Sequence, residues 1–276
     1  MSHDTVRLTF IGGGNMAHSL IAGLLERGWP PSQLCVSDPV PEQRRKLEEA
    51  FGVATTADNR EAVREADVVL LAVKPQDLAA VSREIAADVT QAAALVISIA
   101  AGIRASDVSR WLDGAPVVRA MPNRPALLGS GATALYAPAE VEASERRLAA
   151  EILSAVGVVV WVAQETAMDA VTAVSGSGPA YFFLLIEMLE EAGTALGLDQ
   201  ATARLLAIET AHGAARMARE TDTEPSLLRE QVTSKGGTTA AALGVLESAD
   251  VRGIFRRAIE AAARRSAELA AEAGRR

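Results

Sequence analysis

Through about residue 162, the sequence alternates short runs rich in β-branched residues with longer amphipathic segments of helical length. This alternation predicts a mostly parallel sheet with helices on both faces, because parallel strands require long crossover connections. The predicted strands are residues 6–11, 34–37, 68–73, 95–99, 117–120, 132–136 and 158–162. The predicted helices between them are residues 15–27, 41–50, 59–65, 76–87 and 140–155.

After residue 162 the alternation stops, and the rest of the chain is predicted to be helical. Helix-breaking segments separate the helices, among them residues 175–178 (SGSG) and 234–237 (SKGG). The predicted helices are residues 165–174, 179–196, 200–219 and 251–272. We therefore predict an α/β fold with two domains: a Rossmann-type doubly wound domain over residues 1–162 and an all-α domain over residues 163–276.

One helix of the second domain carries an apolar surface all round. Residues 179–186 (PAYFFLLI) have no polar face, whereas a helix on the surface of a monomer normally has one. Two explanations stay open. The helix is either the centre of its own domain or the contact with a partner subunit.

Composition excludes several classes of function. Hydrophobic residues make up 49% of the 276 residues, which predicts a globular chain, and the net charge of −8 argues against a nucleic-acid partner. The N-terminus lacks the pattern of a secretory signal, and no run of about 18 apolar residues is evident. We expect a soluble cytoplasmic protein that does not bind membranes.

The residues most often used for metal binding and nucleophilic catalysis are scarce. The single cysteine, Cys35, is expected to be a buried, inert thiol. His3 falls in a start that we expect to be disordered, His18 on the first helix and His212 on an Ala-rich helix, and all three are assigned structural roles. No cluster has metal-ligand spacing, so no metal is predicted.

A dinucleotide-binding motif follows the first predicted strand. Residues 12–17 (GGGNMA) match G-x-G-x-x-A and lead directly into a helix. In this motif Gly12 permits the tight turn, Gly14 lets the backbone approach a pyrophosphate, and Ala17 allows close packing. The free amides at the start of the helix favour an anion. The motif predicts a dinucleotide site.

The residues after the second strand do not settle which dinucleotide binds. Asp38 favours NAD, because an acidic residue there commonly binds the ribose diol. Ser37 together with Arg44 or Arg45 favours NADP, because hydroxyl and guanidinium groups accept a 2′-phosphate. The two arginines are equally consistent with a solvated helix face.

Four further segments carry a resemblance to a known family: residues 71–76 (LAVKPQ), 119–123 (RAMPN), 173–181 (AVSGSGPAY) and 232–239 (VTSKGGTT). Together they make nearly the whole chain resemble the pyrroline-5-carboxylate reductases. The resemblance implies reduction of 1-pyrroline-5-carboxylate to L-proline, the last step of proline biosynthesis. It implies NADPH as the preferred cofactor with NADH possible, and helical domains that interlock as homodimers, which often assemble into decamers.

The resemblance also assigns site residues. The implied cofactor-binding residues are Ile11, Gly12, Gly13, Gly14, Asn15, Met16, Ser37, Pro39, Asn59, Ala72, Val73, Lys74, Pro75, Ile99, Ala100 and Ala101. The implied substrate-binding residues are Gln231, Ser234, Gly236, Gly237, Thr238 and Thr239. Arg124 departs from the family pattern, which usually has a small Thr there. Because of this departure, no detailed prediction is made for the loop that contains Arg124.

The chemistry of a cyclic imine suggests roles for the glycine-threonine segment. We hypothesise that Thr239 hydrogen-bonds the ring nitrogen and helps its protonation, directly or through water, while Thr238 and the glycine amides hold the carboxylate. Lys235 is expected to be exposed, since an ammonium group beside an iminium would be repelled. Without the resemblance, the segment is equally well explained as an ordinary start of a helix.

Two other functions compete with this hypothesis. A β-hydroxyacid dehydrogenase would use a lysine on the helix between its domains, and no lysine lies between residues 165 and 196. A non-catalytic, NADP-binding sensor dimer would keep the fold without turnover. The segment SKGGTT favours the reductase, because a sensor has no need of a group that holds a carboxylate.

Overall fold

This computed structural model describes residues 6–275, and His3 lies outside them. The chain forms two compact units. The first unit runs to Gly176 and includes the chain from Ala262 onward, and the second is Ser177–Ala261.

The first unit is built on one eight-stranded sheet. Its spatial order is β3-β2-β1-β4-β5-β6-β7-β8. All neighbouring strands are parallel except β6 and β7, which are antiparallel. The strands are β1 (Leu8–Ile11), β2 (Leu34–Ser37), β3 (Ala54–Thr56), β4 (Val68–Leu71), β5 (Leu95–Ser98), β6 (Val117–Met121), β7 (Gly131–Tyr136) and β8 (Gly157–Trp161).

Helices follow most strands and then form the rest of the chain. A short π-helical turn, Thr172–Gly176, ends the first segment of the first unit, and α12 runs from the second unit back into the first. The helices are α1 (Asn15–Glu26), α2 (Pro41–Phe51), α3 (Asn59–Val63), α4 (Leu78–Ala92), α5 (Ala105–Trp111), α6 (Ala143–Ser154), α7 (Ala167–Val171), α8 (Gly178–Ala195), α9 (Gln200–Glu220), α10 (Pro225–Gln231), α11 (Thr238–Ser248) and α12 (Val251–Ala273).

The strands bury both faces, as expected for a parallel sheet covered by helices. In β4, Val68 and Leu70 belong to one hydrophobic cluster, which includes α1 and α6. Val69 and Leu71 belong to a second cluster on the opposite face, which includes α4 and α5. The alternation of side chains along each strand therefore supplies two cores, one on each side of the sheet.

The predicted doubly wound sheet and helical second half are confirmed, and all seven predicted strands are present. The sequence analysis missed β3, α5 and α10, and it gave no bounds for α11. Strand β3 has three residues, none of them buried, so it shows no apolar run. Helices α5 and α10 have seven residues each, too few for a clear helical period.

The last residues of the chain pack on the first unit. The Ser266 hydroxyl donates to Asp169 Oδ1 at 2.7 Å, and Arg110 donates to the Gly274 carbonyl at 3.0 Å. The sequence analysis assigned these residues to the second domain. Its domain limits, with a boundary at residue 162, remain a prediction.

Within the second unit, α8 and α9 pack together and leave much apolar surface uncovered. Arg204 holds Glu190 with two hydrogen bonds of 2.9 Å across the two helices. Yet Phe182 and Phe183 on α8 are 61% and 62% exposed. By length and composition alone, the helical stretch Ala167–Ala195 would be long and apolar enough to cross a membrane, which the sequence analysis did not anticipate. Such a single stretch is weak evidence for a span.

In the first unit, a buried carboxylate ties α3 to α4. The Arg60 guanidinium donates to Asp88 Oδ2 at 2.7 Å, and the Asp88 side chain is only 7% exposed. The hydrogen bond from Arg60 holds the pKa of the Asp88 carboxyl below its ordinary value, although burial opposes this effect. The charged form of Asp88 therefore stabilises the contact between the two helices.

This pair predicts a pH-dependent stability. Because the pKa of Asp88 is lower in the folded chain than in the unfolded chain, its stabilisation is complete above about pH 4 and is lost as the pH falls through the folded pKa. Asp88→Asn should lower the free energy of unfolding at pH 7, and its difference from wild type should shrink in acid. Urea denaturation at several pH values measures this. Glu49→Gln, at an exposed pair with Arg45, is the control with little effect. A difference independent of pH would contradict the account.

Candidate functional site

The candidate cofactor site lies at the carboxyl ends of β1 and β4, the two neighbouring strands at which the strand order reverses. From β1 the chain continues to β2 on one side, and from β4 it continues to β5 on the other. Ligands of open α/β sheets bind at such a point. The motif 12–17 begins directly after β1, so the fold places it there.

The first glycine of the motif makes a turn that other residues resist. Gly12 has φ of +101°, and a Cβ at this position would lie 2.9 Å from the Ala72 carbonyl oxygen. The Gly12 amide donates to the Ser37 carbonyl at 2.8 Å. The turn is thus packed between the ends of β2 and β4.

The third glycine of the motif has open space before it. A Cβ added to Gly14 would meet nothing within 4 Å. Helix α1 begins at the next residue, with no side-chain cap and no acidic residue in its first turn. Its first amides and its partial positive charge therefore face an open cradle, which fits the pyrophosphate of a dinucleotide.

The segment joining β2 to α2 holds the middle of the glycine loop. Asp38 Oδ2 accepts from the Gly13 amide at 2.8 Å, and Asp38 Oδ1 accepts from the Val40 amide at 2.9 Å. The side-chain amide of Gln43 donates to the Gly13 carbonyl. Arg44 donates to the Asp38 carbonyl at 2.6 Å, so its guanidinium lies over this turn.

Ser37 and Asn59, both implied cofactor residues, contact each other. The Ser37 hydroxyl donates to Asn59 Oδ1 at 2.7 Å, and Asn59 Nδ2 donates to Glu84 Oε2 at 3.0 Å. Because a carboxylate only accepts, Glu84 sets which way the Asn59 amide points. Pro39 lies beside Ser37 and is exposed.

The other implied cofactor residues follow β4 and β5 at the same edge. Lys74 and Pro75 are exposed in the loop before α4, and Ala101 is exposed after β5. Backbone hydrogen bonds connect the ends of β1, β4 and β5. The Ala72 amide donates to the Ile11 carbonyl at 2.8 Å, and the Ile99 amide donates to the Leu71 carbonyl at 3.2 Å. The first unit therefore brings together the implied cofactor residues from β1, β2, α3, β4 and β5.

The implied substrate residues form a separate group in the second unit. Gln231 ends α10, Ser234 and Gly236 lie in the following turn, and Thr238 begins α11. Gly237 precedes α11 in an extended conformation, with no side-chain cap and no acidic residue in the first turn. The Gly237 amide donates to the Ser234 carbonyl at 3.0 Å, so the free amides are those of the first turn of α11, and these can hold a carboxylate. Lys235 is exposed, as expected.

Arg124 begins a short 3₁₀ turn, Arg124–Leu128, that follows β6. Its side chain is exposed, while the preceding Asn123 is anchored. Asn123 Oδ1 accepts from the Ala132 amide at 2.9 Å, and Asn123 Nδ2 donates to the Ser175 hydroxyl at 3.2 Å. The loop is held through Asn123, so a change at Arg124 leaves its anchors in place.

The sequence analysis missed several polar contacts of the site and the sheet. It considered Asp38 as a ribose ligand and did not connect Gln43 with the glycine loop. It also missed the ion pair of the buried Arg119 with the partly exposed Glu165, whose nitrogen and oxygen are 3.0 Å apart. The contacts of Asp38 and Gln43 involve main-chain atoms, for which the sequence carries no signal.

The structural roles expected for Cys35 and the histidines remain predictions. Cys35 is partly exposed instead of buried, and desolvation and the nearby Glu61 raise the pKa of its thiol. His18 packs edge-on against Phe51. Residues 6–275 contain no group of three or more His, Cys, Asp or Glu side chains arranged to hold a metal, and the absence of a metal remains a prediction.

Comparison with known proteins decides the family. Over 272 residues, covering 98% of this chain and 99% of its relative, the sequence is 48% identical to a pyrroline-5-carboxylate reductase of Pseudomonas aeruginosa. This chain belongs to the pyrroline-5-carboxylate reductase family. The model of the pyrroline-5-carboxylate reductase dimerisation family matches residues 165–269. The model of the coenzyme F420-dependent NADP oxidoreductase family matches residues 7–102.

Solved structures of the reductase family have the same fold. A pyrroline-5-carboxylate reductase from Coxiella burnetii superposes with a TM-score of 0.93 at 44% identity, covering 96% of this chain and 98% of that one. The Plasmodium falciparum pyrroline carboxylate reductase, solved with NADP bound, superposes with a TM-score of 0.83 at 27% identity and covers 96% of this chain and 98% of that one.

The family model also bears on the apolar helix. Helix α8 lies inside the matched dimerisation region, and its aromatic side chains are exposed in the single chain. Of the two explanations that the sequence left open, self-association is the one supported. The helical unit is a dimerisation domain.

The open space at Gly14 predicts a change in cofactor affinity without loss of the fold. Gly14→Ala should leave the melting temperature near wild type, because nothing in the chain meets the new Cβ. The methyl group would occupy the cradle, so we expect dissociation constants for NADPH and NADH to rise roughly tenfold or more, as one lost charge-assisted contact would cause. Isothermal titration calorimetry measures both.

Gly52→Ala is the matched control. Gly52 also has open space but φ of +67°, so alanine there should lower stability and leave cofactor affinity unchanged. Wild-type affinity in Gly14→Ala would show that the pyrophosphate binds elsewhere.

Proposed function

We propose that this protein reduces 1-pyrroline-5-carboxylate to L-proline, with NADPH as the preferred cofactor and NADH accepted, as the last step of proline biosynthesis in the cytoplasm. The supporting observation is 48% identity to a pyrroline-5-carboxylate reductase over nearly the whole of both chains. Oxidation of NADPH in the presence of pyrroline-5-carboxylate, followed by absorbance, is the test. Cofactor binding without turnover would overturn the proposal and favour a sensor.

The edge at β1 and β4 is the proposed cofactor site. The first turn of α1 with Gly12, Gly13, Gly14, Asn15 and Met16 would hold the pyrophosphate, and the residues from β2 and α3 would hold the adenosine ribose. The residues after β4 and β5 would line the way to the nicotinamide. When bound, the cofactor supplies the hydride.

The segment of residues 231–239 is the proposed substrate site. The free amides at the start of α11, with Thr238 and Ser234, would hold the carboxylate of the imine. Thr239 would hydrogen-bond the ring nitrogen and help its protonation, directly or through water. Protonation favours the reaction because the protonated imine accepts hydride more readily. A hydroxyl that donates to the nitrogen binds it more strongly in the transition state, because the C=N electrons move onto nitrogen as hydride reaches the carbon.

We further propose a homodimer built through the helical unit, with a decamer as the larger assembly. The exposed aromatic side chains of α8 support a partner at that surface, and a partner there would also account for the apolar stretch Ala167–Ala195 without a membrane. In this arrangement the substrate segment of one subunit would face the nicotinamide of its partner. The acidic charge of the chain agrees with the absence of a nucleic-acid partner.

A β-hydroxyacid dehydrogenase is the alternative enzyme. A 3-hydroxyisobutyrate dehydrogenase of Mycobacterium tuberculosis superposes with a TM-score of 0.51 at 19% identity, which shows a shared fold alone. The chain has no lysine between residues 165 and 196 to act as acid or base, so the reductase is favoured.

The proposed role of Thr239 predicts a loss of rate. Thr239→Ala should lower kcat/KM for pyrroline-5-carboxylate by one to three orders of magnitude, since a lost transition-state donor is worth about 2–4 kcal/mol. Thr239→Ser keeps the hydroxyl and should stay within about tenfold of wild type. Steady-state kinetics with saturating NADPH measures both. Wild-type rates in Thr239→Ala would remove this residue from the mechanism.

The position of Arg44 predicts a change in cofactor preference. Its guanidinium lies over the β2–α2 turn, so Arg44→Ala should weaken NADPH roughly tenfold and leave NADH nearly unchanged, by loss of a charge-assisted contact to the 2′-phosphate. Arg45→Ala is the matched control and should leave both affinities unchanged, because Arg45 is exposed and paired with Glu49. Equal loss for both cofactors would contradict this role for Arg44.

A further inference from the structure

Gly13, the middle residue of the glycine loop, is held through its amide and its carbonyl. The amide of Gly13 donates to Asp38 at 2.8 Å, while the carbonyl of Gly13 accepts from the side chain of Gln43. Both polar groups of Gly13 are therefore engaged by the segment that joins β2 to α2. A loop whose Gly13 nitrogen and oxygen are both hydrogen-bonded has its binding conformation already in the ligand-free protein.

Both oxygens of the Asp38 carboxylate accept hydrogen bonds from main-chain amides. Its second oxygen accepts from the Val40 amide at 2.9 Å, and the residue is only 9% exposed. A Cβ at Gly13 would lie 3.3 Å from Asp38 Oδ2 and 2.8 Å from Leu47, so the carboxylate and the loop are also in close packing. The acidic residue after β2 thus points toward the loop.

We propose that Asp38 and Gln43 are positioning residues that hold the glycine loop in its cofactor-binding shape, and that Asp38 does not select NADH through the ribose diol. This inference rests on the proposed function only in placing a dinucleotide on the glycine loop. It differs from the usual role of an acidic residue at this point of the fold, which is to bind the ribose hydroxyls.

The two roles differ in their effect on cofactor preference. If Asp38 bound the ribose diol, removing its charge would weaken NADH selectively and relieve repulsion of the 2′-phosphate of NADPH. If Asp38 positions the loop, both dinucleotides lose affinity by the same factor, because both have the same pyrophosphate. The ratio of the two dissociation constants therefore separates the roles.

Asp38→Asn is the first test variant. An asparagine has one acceptor oxygen, so its amino group would face one of the two amides, and one contact is lost. We expect dissociation constants for NADPH and NADH, measured by calorimetry, to rise together by roughly tenfold. Their ratio should stay within about twofold of wild type, and kcat at saturating cofactor should change little.

Gln43→Leu is the second test variant, because it removes the other half of the grip without changing charge. It should give the same result, with both constants raised and their ratio unchanged. Glu42→Gln is the matched control, since Glu42 is an exposed acidic neighbour on α2 that pairs with Lys46. Its affinities should equal those of wild type.

The outcomes are distinct. A selective loss of NADH in Asp38→Asn, or unchanged affinities in both variants, would overturn the positioning role. Binding of neither dinucleotide to the wild-type chain would overturn this inference and the proposed cofactor together. Parallel losses in a protein that does not reduce pyrroline-5-carboxylate would support the positioning role and overturn only the proposed reaction.

Discussion

The structure of the first unit depends on the close approach of backbone at the ends of three neighbouring strands. Gly12 donates to the carbonyl that ends β2 and lies against the carbonyl after β4. Only a residue without Cβ permits this approach at its positive φ. The turn then directs α1 away from the sheet, so that its uncapped first turn faces the space where the strand connections diverge. The anion-binding character of the site follows from this geometry.

Around that turn, the polar side chains hydrogen-bond to the backbone and to one another. Asp38 and Gln43 hold the two peptide groups on either side of the Gly13 Cα. Glu84 fixes the direction of the Asn59 amide, whose oxygen accepts from Ser37. Preorganised loops of this kind bind ligands without a further cost for ordering the chain. The chain relies on positioning because reduction of an imine by a nicotinamide requires orientation and exclusion of water more than covalent catalysis.

Much of the fold was predictable from the sequence, because buried parallel strands carry continuous apolar runs and the glycine motif has a fixed place after the first strand. Strand β3 and helices α5 and α10 were not predicted, because a partly exposed strand of three residues and helices of seven residues carry too little periodic pattern. The pair of Arg119 and Glu165 joins segments 46 residues apart, and nothing local marks it. The place of the cofactor site was predictable because the glycine motif of residues 12–17 defines it. The role of Asp38 was not, because its partners are amides placed by tertiary structure.

In this protein, hydride should pass directly from a bound dinucleotide to a small cyclic imine. The most direct measurement uses NADPH with deuterium at C4 of the nicotinamide, prepared as each of its two epimers, and mass spectrometry of the proline formed. The account predicts that one epimer yields proline with a single deuterium at C5 and the other yields unlabelled proline. Proline without deuterium from both epimers, or no proline at all, would contradict it.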